Sequence, residues 1–366
     1  MHIYIHVPFC ARRCSYCDFA IAVRRETPHR EFVTAILEEW RGRSAEWRPS
    51  TAIDTLYFGG GTPSRLAPDS IGELVSALTA DVPLAQNAEV TLETNPDDVT
   101  DARAAAWVAA GINRVSLGVQ SHDAAVLSWM HRTHHAEQVP AAMRTLRFAG
   151  FRNVSMDLIF GLPAELSRDW AGDLDRTLAL DPEHISLYGL TIEPHTPLAH
   201  WTRRGVTQTV PDDQYAAEYL LAHERLGSAG FEHYEVSNAA RPGYRSRHNA
   251  VYWSGADYIG LGPSAHSLLD GRRRWNVREW AAYQSCLSAG QPTVAGSELL
   301  TPEARELERR YLRLRTTAGV PVAELGDGTA ETWAGQRWAR IADGTLRLTA
   351  EGWLRLDALV GAARHS

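Results

Sequence analysis

Short apolar runs alternate along most of the chain with longer stretches whose apolar residues recur at helical spacing. The runs at 3–7, 55–58, 89–93, 114–119, 154–160 and 184–190 are rich in β-branched and aromatic residues and read as strands. Between and after them, the segments at 30–47, 69–80, 101–109, 136–148, 168–179 and 212–228 have the periodicity of helices with one buried face. Leu158-Ile159-Phe160 shows no polar alternation, as expected of a strand covered on both faces in a parallel sheet. Strand–helix units repeated in this way predict an α/β fold, a partial (β/α)6 barrel with right-handed crossovers. Gly111, Gly150 and Gly230 each stand between a helical stretch and an apparent strand, where glycine closes a helix.

The pattern changes near residue 292. Residues 302–315 form a charged amphipathic helix candidate, and 340–348 reads as a hairpin turning at Asp343-Gly344. Thr349 is placed to cap a last helix that runs through Leu359. Together these predict a small α+β, winged-helix-like unit. The expected organisation is a barrel core at 1–230, a connecting segment at 231–292 and the appended unit at 293–366.

Composition narrows the function classes. Hydrophobic residues make up 44% and charged residues 22%, an ordinary globular balance. Winged helices often bind DNA, but 37 Lys and Arg stand against 44 Asp and Glu, and no basic recognition helix is evident. No nucleic-acid partner is therefore expected. No apolar run approaches the roughly 20 residues that span a bilayer, so an integral membrane protein is not expected either. Met1-His2-Ile3-Tyr4-Ile5-His6 shows neither a basic leader nor a following secretory segment, which makes the cytoplasm the expected compartment.

Three of the four cysteines change the picture most. Cys10, Cys14 and Cys17 follow the first strand with spacing C-x3-C-x2-C. A disulfide framework would spread its cysteines along the chain, and a reducing compartment would not maintain it. Three thiolates on one tight loop suit three corners of a 4Fe-4S cluster, with the fourth iron open to a small chelating molecule. Zinc is the alternative, completed by His6 or a distant residue, although no second cysteine pair is present. Cys286 stands alone in a helical stretch and reads as a small buried hydrophobe.

Five motifs follow in order: Tyr4-Ile5-His6-Val7-Pro8-Phe9-Cys10, Phe58-Gly59-Gly60-Gly61-Thr62-Pro63, Glu93-Thr94-Asn95-Pro96, Leu117-Gly118-Val119-Gln120-Ser121, and the run from Met156 to Pro163. With the cysteine spacing they resemble the radical S-adenosylmethionine (SAM) superfamily, most closely its oxygen-independent coproporphyrinogen III oxidase-like group. The resemblance covers essentially the whole chain. It implies that Gly60, Gly61 and Thr62 lie on a loop contacting the amino group of SAM. It also assigns Glu93, Gln120, Arg132 and Asp157 to SAM, with Tyr4 and Tyr16 flanking the cluster loop. Taken alone, glycines allow close backbone approach, and Glu93 and Gln120 sit at strand ends where barrel active sites gather. Each also has a plainer reading: a tight turn for the glycines, a cap or buried ion pair for Asp157, aromatic packing for the tyrosines.

Two departures separate the chain from the porphyrinogen enzyme. That enzyme has a further cysteine where Cys17-Asp18 is followed by Phe19, and it carries an amino-terminal extension for which this chain shows no counterpart. Arg247-His248-Asn249-Ala250-Val251-Tyr252-Trp253 and the run 346–352 are instead similar to the haem chaperone (HemW) branch. This resemblance implies that haem is bound, with His248 a candidate contact, and is transferred to an acceptor protein, which can be membrane-bound and touched transiently. Packing of His248 and Trp253 between barrel and appendage is the plainer reading. A radical enzyme acting on a porphyrinogen and a non-catalytic iron–sulfur or nucleic-acid-binding protein remain as the other classes. The two departures weigh against a coproporphyrinogen dehydrogenase.

Overall fold

The computed structural model describes residues 1–47 and 52–362, so the last four positions of the expected 293–366 unit lie outside the described residues. Strands β1 (His2–Val7), β2 (Ile53–Gly60), β3 (Leu84–Thr94), β4 (Arg114–Gln120), β5 (Val154–Phe160) and β6 (His184–Gly189) lie side by side in chain order. Each neighbouring pair is parallel. Parallel neighbours need a crossover, and α1 (His29–Gly42), α2 (Pro68–Asp81), α3 (Asp101–Ala109), α4 (Gln138–Ala149) and α5 (Trp170–Ala179) supply it. Helix α6 (Asp212–Ser228) follows β6. The α/β barrel-type sheet expected from the sequence is present.

Burial explains why these segments choose these states. Ile3 and Ile5 of β1, Leu56 and Phe58 of β2, and Val115 and Leu117 of β4 are fully buried beneath the helices. On α1, Phe32, Ile36 and Trp40 recur at four-residue spacing and turn the same face inward. The long segment expected at 30–47 breaks after Gly42, and a short helix resumes at Ser44–Trp47.

Three short strands beyond residue 230 complete the sheet. β7 (Glu232–Glu235) and β8 (Asn238–Ala240) form an antiparallel pair that adds to β6. Helix α7 (Arg247–Ser254) then leads to β9 (Ile259–Leu261), which pairs in parallel with β1 at the opposite edge. Strands of three or four residues, one of them Asn-Ala-Ala, carry too little periodicity to be read from sequence.

A separate antiparallel sheet is built from β10 (His266–Leu269), β11 (Arg272–Asn276) and β12 (Val294–Leu299), with α8 (Trp280–Ser288) between the last two. After α9 (Pro302–Leu314) comes a third sheet of β13 (Val320–Pro321), β14 (Ala339–Ala342) and β15 (Thr345–Leu348). The expected hairpin is β14–β15, and both Asp343 and Gly344 take the positive φ that its tight turn requires. Thr349 caps the next helix by accepting from Gly352, although the last helix is divided into Ala350–Trp353 and Leu356–Ala362.

One buried carboxylate fastens the second sheet to the barrel. Glu39 of α1 accepts from Tyr283 Oη at 2.5 Å, Asn276 Nδ2 at 2.7 Å, the Gly262 amide at 2.8 Å and Arg43 at 3.2 Å. Removing it leaves Tyr283 Oη and the Gly262 amide without that acceptor, whereas Arg43 keeps its ion pair with Glu46 at 2.8 Å. Glu39→Ala is therefore expected to lower stability by about 2–4 kcal/mol in denaturant unfolding, the scale of two buried donors left unsatisfied, and Glu39→Gln by less.

Candidate functional site

The cysteine loop is fixed at its base, its tip and its hydrophobic root. Phe9–Cys10 pairs in parallel with Ala22–Val23, and the Arg24 amide donates to Cys10 O at 2.9 Å. At the tip, the Ser15 amide donates to Met130 O, and Ser15 O accepts from the Leu198 amide. The Phe9 ring meets Phe32 of α1 and Trp280 of α8 edge-on at 5.5 and 5.3 Å. So held, Cys10, Cys14 and Cys17 line one cavity of about 380 Å³ at the carboxyl ends of the parallel strands. Tyr16, Gly60, Gly61, Thr62, Glu93, Gln120, Arg132 and Asp157 line the same cavity, so the sheet gathers eleven of the thirteen sequence candidates.

The glycines have a specific steric reason. A Cβ on Gly60, whose φ is +117°, would stand 2.7 Å from the His6 ring. One on Gly61 would stand 2.8 Å from Pro8 and 3.0 Å from Cys10 Sγ. Close approach does require glycine here, but what approaches is the chain's own first strand and cysteine loop.

Burial sets the electrostatics. Glu93 accepts from Tyr57 Oη at 2.8 Å and the Gly60 amide at 3.0 Å, yet burial, aided by Asp157, pushes its pKa up to about 7. Asp157, held by Ser116 Oγ at 3.0 Å, is also raised by burial. Gln120 sits at φ +66° beside an irregularity in the β4–β5 register, a strained backbone that places its side chain at the cavity. Arg132 donates to Gly118 O at 2.9 Å, to Asn95 Oδ1 and to Cys14 Sγ at 3.7 Å, tying the end of β4 to the cysteine loop.

The donor set suits an iron–sulfur cluster. Burial raises the Cys10 thiol, opposed by Thr62 Oγ1 at 3.4 Å, and raises the Cys17 thiol to about 11. Both are therefore protonated without a metal, and ligation would release those protons. Among the described residues, no three His, Cys, Asp or Glu groups converge as the ligands of a single ion. Three thiols lining one cavity fit a cluster that takes one thiolate per iron, whereas a structural zinc would call for a fourth ligand.

Two candidates lie elsewhere. Tyr4 does not line the cavity; its hydroxyl meets His6 Nδ1 at 3.1 Å and its ring stacks on Tyr57 and His248. His248 is buried beside Thr55, toward the amino end of β2 and away from the cysteines. Its Nδ1 meets Thr55 Oγ1 at 2.7 Å, its Nε2 meets Tyr252 Oη at 2.9 Å, and its amide donates to Glu89. Both ring nitrogens are engaged, so neither is free for a metal as the side chain is placed. Burial lowers its pKa to about 3 and keeps it neutral. Cys286 lies half-buried on α8, outside the cavity lining. Sequence reasoning missed Tyr57 and Ser116, which hold the two carboxylates, because only strand register brings them together.

A family model described as the Radical SAM superfamily matches residues 4–176. The Mycobacterium tuberculosis protein named Heme chaperone HemW is 37% identical over 98% of this chain and 93% of its own length. The chain belongs to the HemW family. A second HemW relative, from Bacillus subtilis, is 34% identical over 87% of this chain and 84% of its own length. The solved coproporphyrinogen III oxidase (HemN) from Escherichia coli is similar to this HemW-family chain in fold, with TM-score 0.83 and 20% identity over 98% of this chain and 88% of that one. Among the described residues, no helix is long and apolar enough to cross a membrane.

The buried neutral histidines of this HemW-family chain make its stability pH-dependent. His248 and His6 have folded pKa values of about 3 and about 4, both depressed chiefly by burial. As pH falls below about 6.5, the unfolded chain takes up protons that the native state refuses, and each group withdraws up to about 1.4 kcal/mol per pH unit. Unfolding free energy should therefore fall steadily between pH 6 and pH 4. His248→Gln should show a shallower slope, measured by denaturant titration at each pH.

Proposed function

We propose that this chain is a haem chaperone: it binds haem and transfers it to an acceptor protein in the cytoplasm. The observation that carries this reading is the 37% identity, across nearly the full length, with the Mycobacterium tuberculosis protein named Heme chaperone HemW. We propose further that Cys10, Cys14 and Cys17 hold a 4Fe-4S cluster, with SAM beside it. A cluster of this kind supplies an open iron that can chelate SAM and pass it one electron. The chain's part is positional. Thr62 stands against Cys10, Arg132 orients Cys14, and the Gly60–Gly61 backbone leaves room for the loop above it. Glu93 and Asp157 offer carboxylates to the positive charges of SAM, with Gln120 and Tyr16 completing the wall.

This reading does not include decarboxylation of coproporphyrinogen. Phe19, which stands where the porphyrinogen enzyme has its extra cysteine, is 59% exposed in the cavity lining. We read His248 as a wedge that shapes the barrel interior, since both its ring nitrogens are bonded.

Anaerobic reconstitution followed by haemin titration and coproporphyrinogen turnover, side by side, tests the proposal. Saturable haem binding without protoporphyrinogen formation is expected, and the Cys10/Cys14/Cys17 triple alanine variant should lose its iron and acid-labile sulfide. Absence of saturable haem binding would end the chaperone reading. Glu93 offers a second check. It must be ionised to attract the SAM amino group, and its pKa near 7 means that SAM affinity should rise as pH increases through about 7. Glu93→Gln should flatten that profile and weaken SAM binding roughly tenfold or more, the usual scale for losing a charged hydrogen bond.

A further inference from the structure

A second cavity, of about 720 Å³, opens between α7 and α9. Its volume lies within the roughly 300–1,000 Å³ typical of small-molecule sites. Helix α7 carries the His-Asn-x-x-Tyr-Trp run and divides it between two environments. His248 and Tyr252 turn into the barrel and bond each other, whereas Ala250, Trp253 and Ser254 line the second cavity. Residues three and four apart share a helix face, which is why one short motif serves both sides.

The walls are apolar and the rim is cationic. Leu300 and Leu312 face the space with Trp253, whose ring is braced by the Arg315 guanidinium 4.3 Å from its centroid. The Trp253 Nε1 hydrogen is buried without an acceptor among the described residues. Four arginines line the cavity against two carboxylates, Asp257 and Glu308. Three of the arginines are committed: Arg245 to Glu232, Arg309 to Glu306 and Glu324, and Arg313 to Gly319 O. Glu308 is itself held by Arg273. Arg305 makes no ion pair among the described residues and stands exposed beside Gly271. Among the described residues Arg305 and Arg313 carry charges without an ion pair, against one such carboxylate, Asp257, and an apolar slot with this excess of guanidinium at its mouth matches a flat hydrophobic ring that carries carboxylates.

The geometry points to this cavity as the seat of the haem, with the ring between α7 and α9 and the propionates at Arg305. The assignment rests on the haem-binding reading above. The cysteine-lined cavity is the smaller of the two and, on that reading, is taken by the cluster and SAM. The second cavity's lining contains no His, Cys or Met, and the hydroxyl of its one tyrosine, Tyr234, is engaged by His184 Nε2 at 2.8 Å and the Ser246 amide at 3.3 Å, so its wall offers no free iron ligand. Recognition here belongs to the porphyrin ring and its carboxylates. The iron stays open to a ligand from the acceptor, as transfer requires.

The test titrates haemin and iron-free protoporphyrin IX into the full-length, cluster-reconstituted protein. Wild type should bind both saturably and with affinities within a few-fold of each other. Arg305→Glu, which inverts the rim charge, and Ala250→Trp, which fills the slot, should each weaken both ligands at least tenfold. Arg305→Lys should retain most of the affinity, and the dimethyl ester of protoporphyrin should bind poorly to wild type. Arg305 and Ala250 are both exposed, and unchanged thermal midpoints and cluster content would show that the fold is kept. If wild type binds haemin saturably and both variants match it, the seat is elsewhere and the chaperone reading stands. Binding of haemin but not of the iron-free ring would also overturn the assignment, since it would demand an iron ligand. No saturable binding by wild type would end the haem reading and the seat with it.

Discussion

There is no room for a side chain where the end of β2 passes beneath β1 and the cysteine loop. A Cβ on Gly59 would stand 2.8 Å from the rings of both Tyr4 and Tyr57, and those on Gly60 and Gly61 would strike His6, Pro8 and Cys10. Everything at the cysteine-lined end of the barrel depends on this close passage. It lets the loop fold back over the sheet, sets Cys10 against Thr62, and aims the Gly60 amide at Glu93. Because interiors are close-packed, a displacement here would reach the aromatic stack inside the barrel as well as the thiols.

The parallel sheet turns distant motifs into one site. Each strand ends at the same side of the barrel, so residues separated by dozens of positions meet there. Burial then decides their chemistry. Glu93 and Asp157 are held by neutral hydroxyls and an amide, so desolvation wins and both are poised to respond to a cation. At the other side of the same scaffold, α7 joins the barrel interior to the cavity beside α9. His248 anchors the helix inward, and Trp253 faces out from it. One helix thus couples the packing of the barrel to the second cavity.

The sequence by itself determined the six-strand order, the cysteine loop and the hairpin at Asp343-Gly344. Each rests on local causes: apolar periodicity, sulfur spacing, and a turn whose backbone angles few residues accept. The ordered motifs carried the family because they mark successive strand ends, and a parallel sheet built in chain order keeps them adjacent. Only the tertiary structure decided that His248 lies inside the barrel with both nitrogens bonded, apart from the cavity that gathers the cysteines. It alone brought Tyr57 to Glu93 and Ser116 to Asp157, and extended the sheet at both edges with strands too short to read. It alone left Arg305 exposed without an ion pair at the second cavity while Arg245 and Arg309 found carboxylates. These outcomes depend on register, on burial and on which charge reaches which across the packed molecule, and no local pattern along a chain encodes such distances.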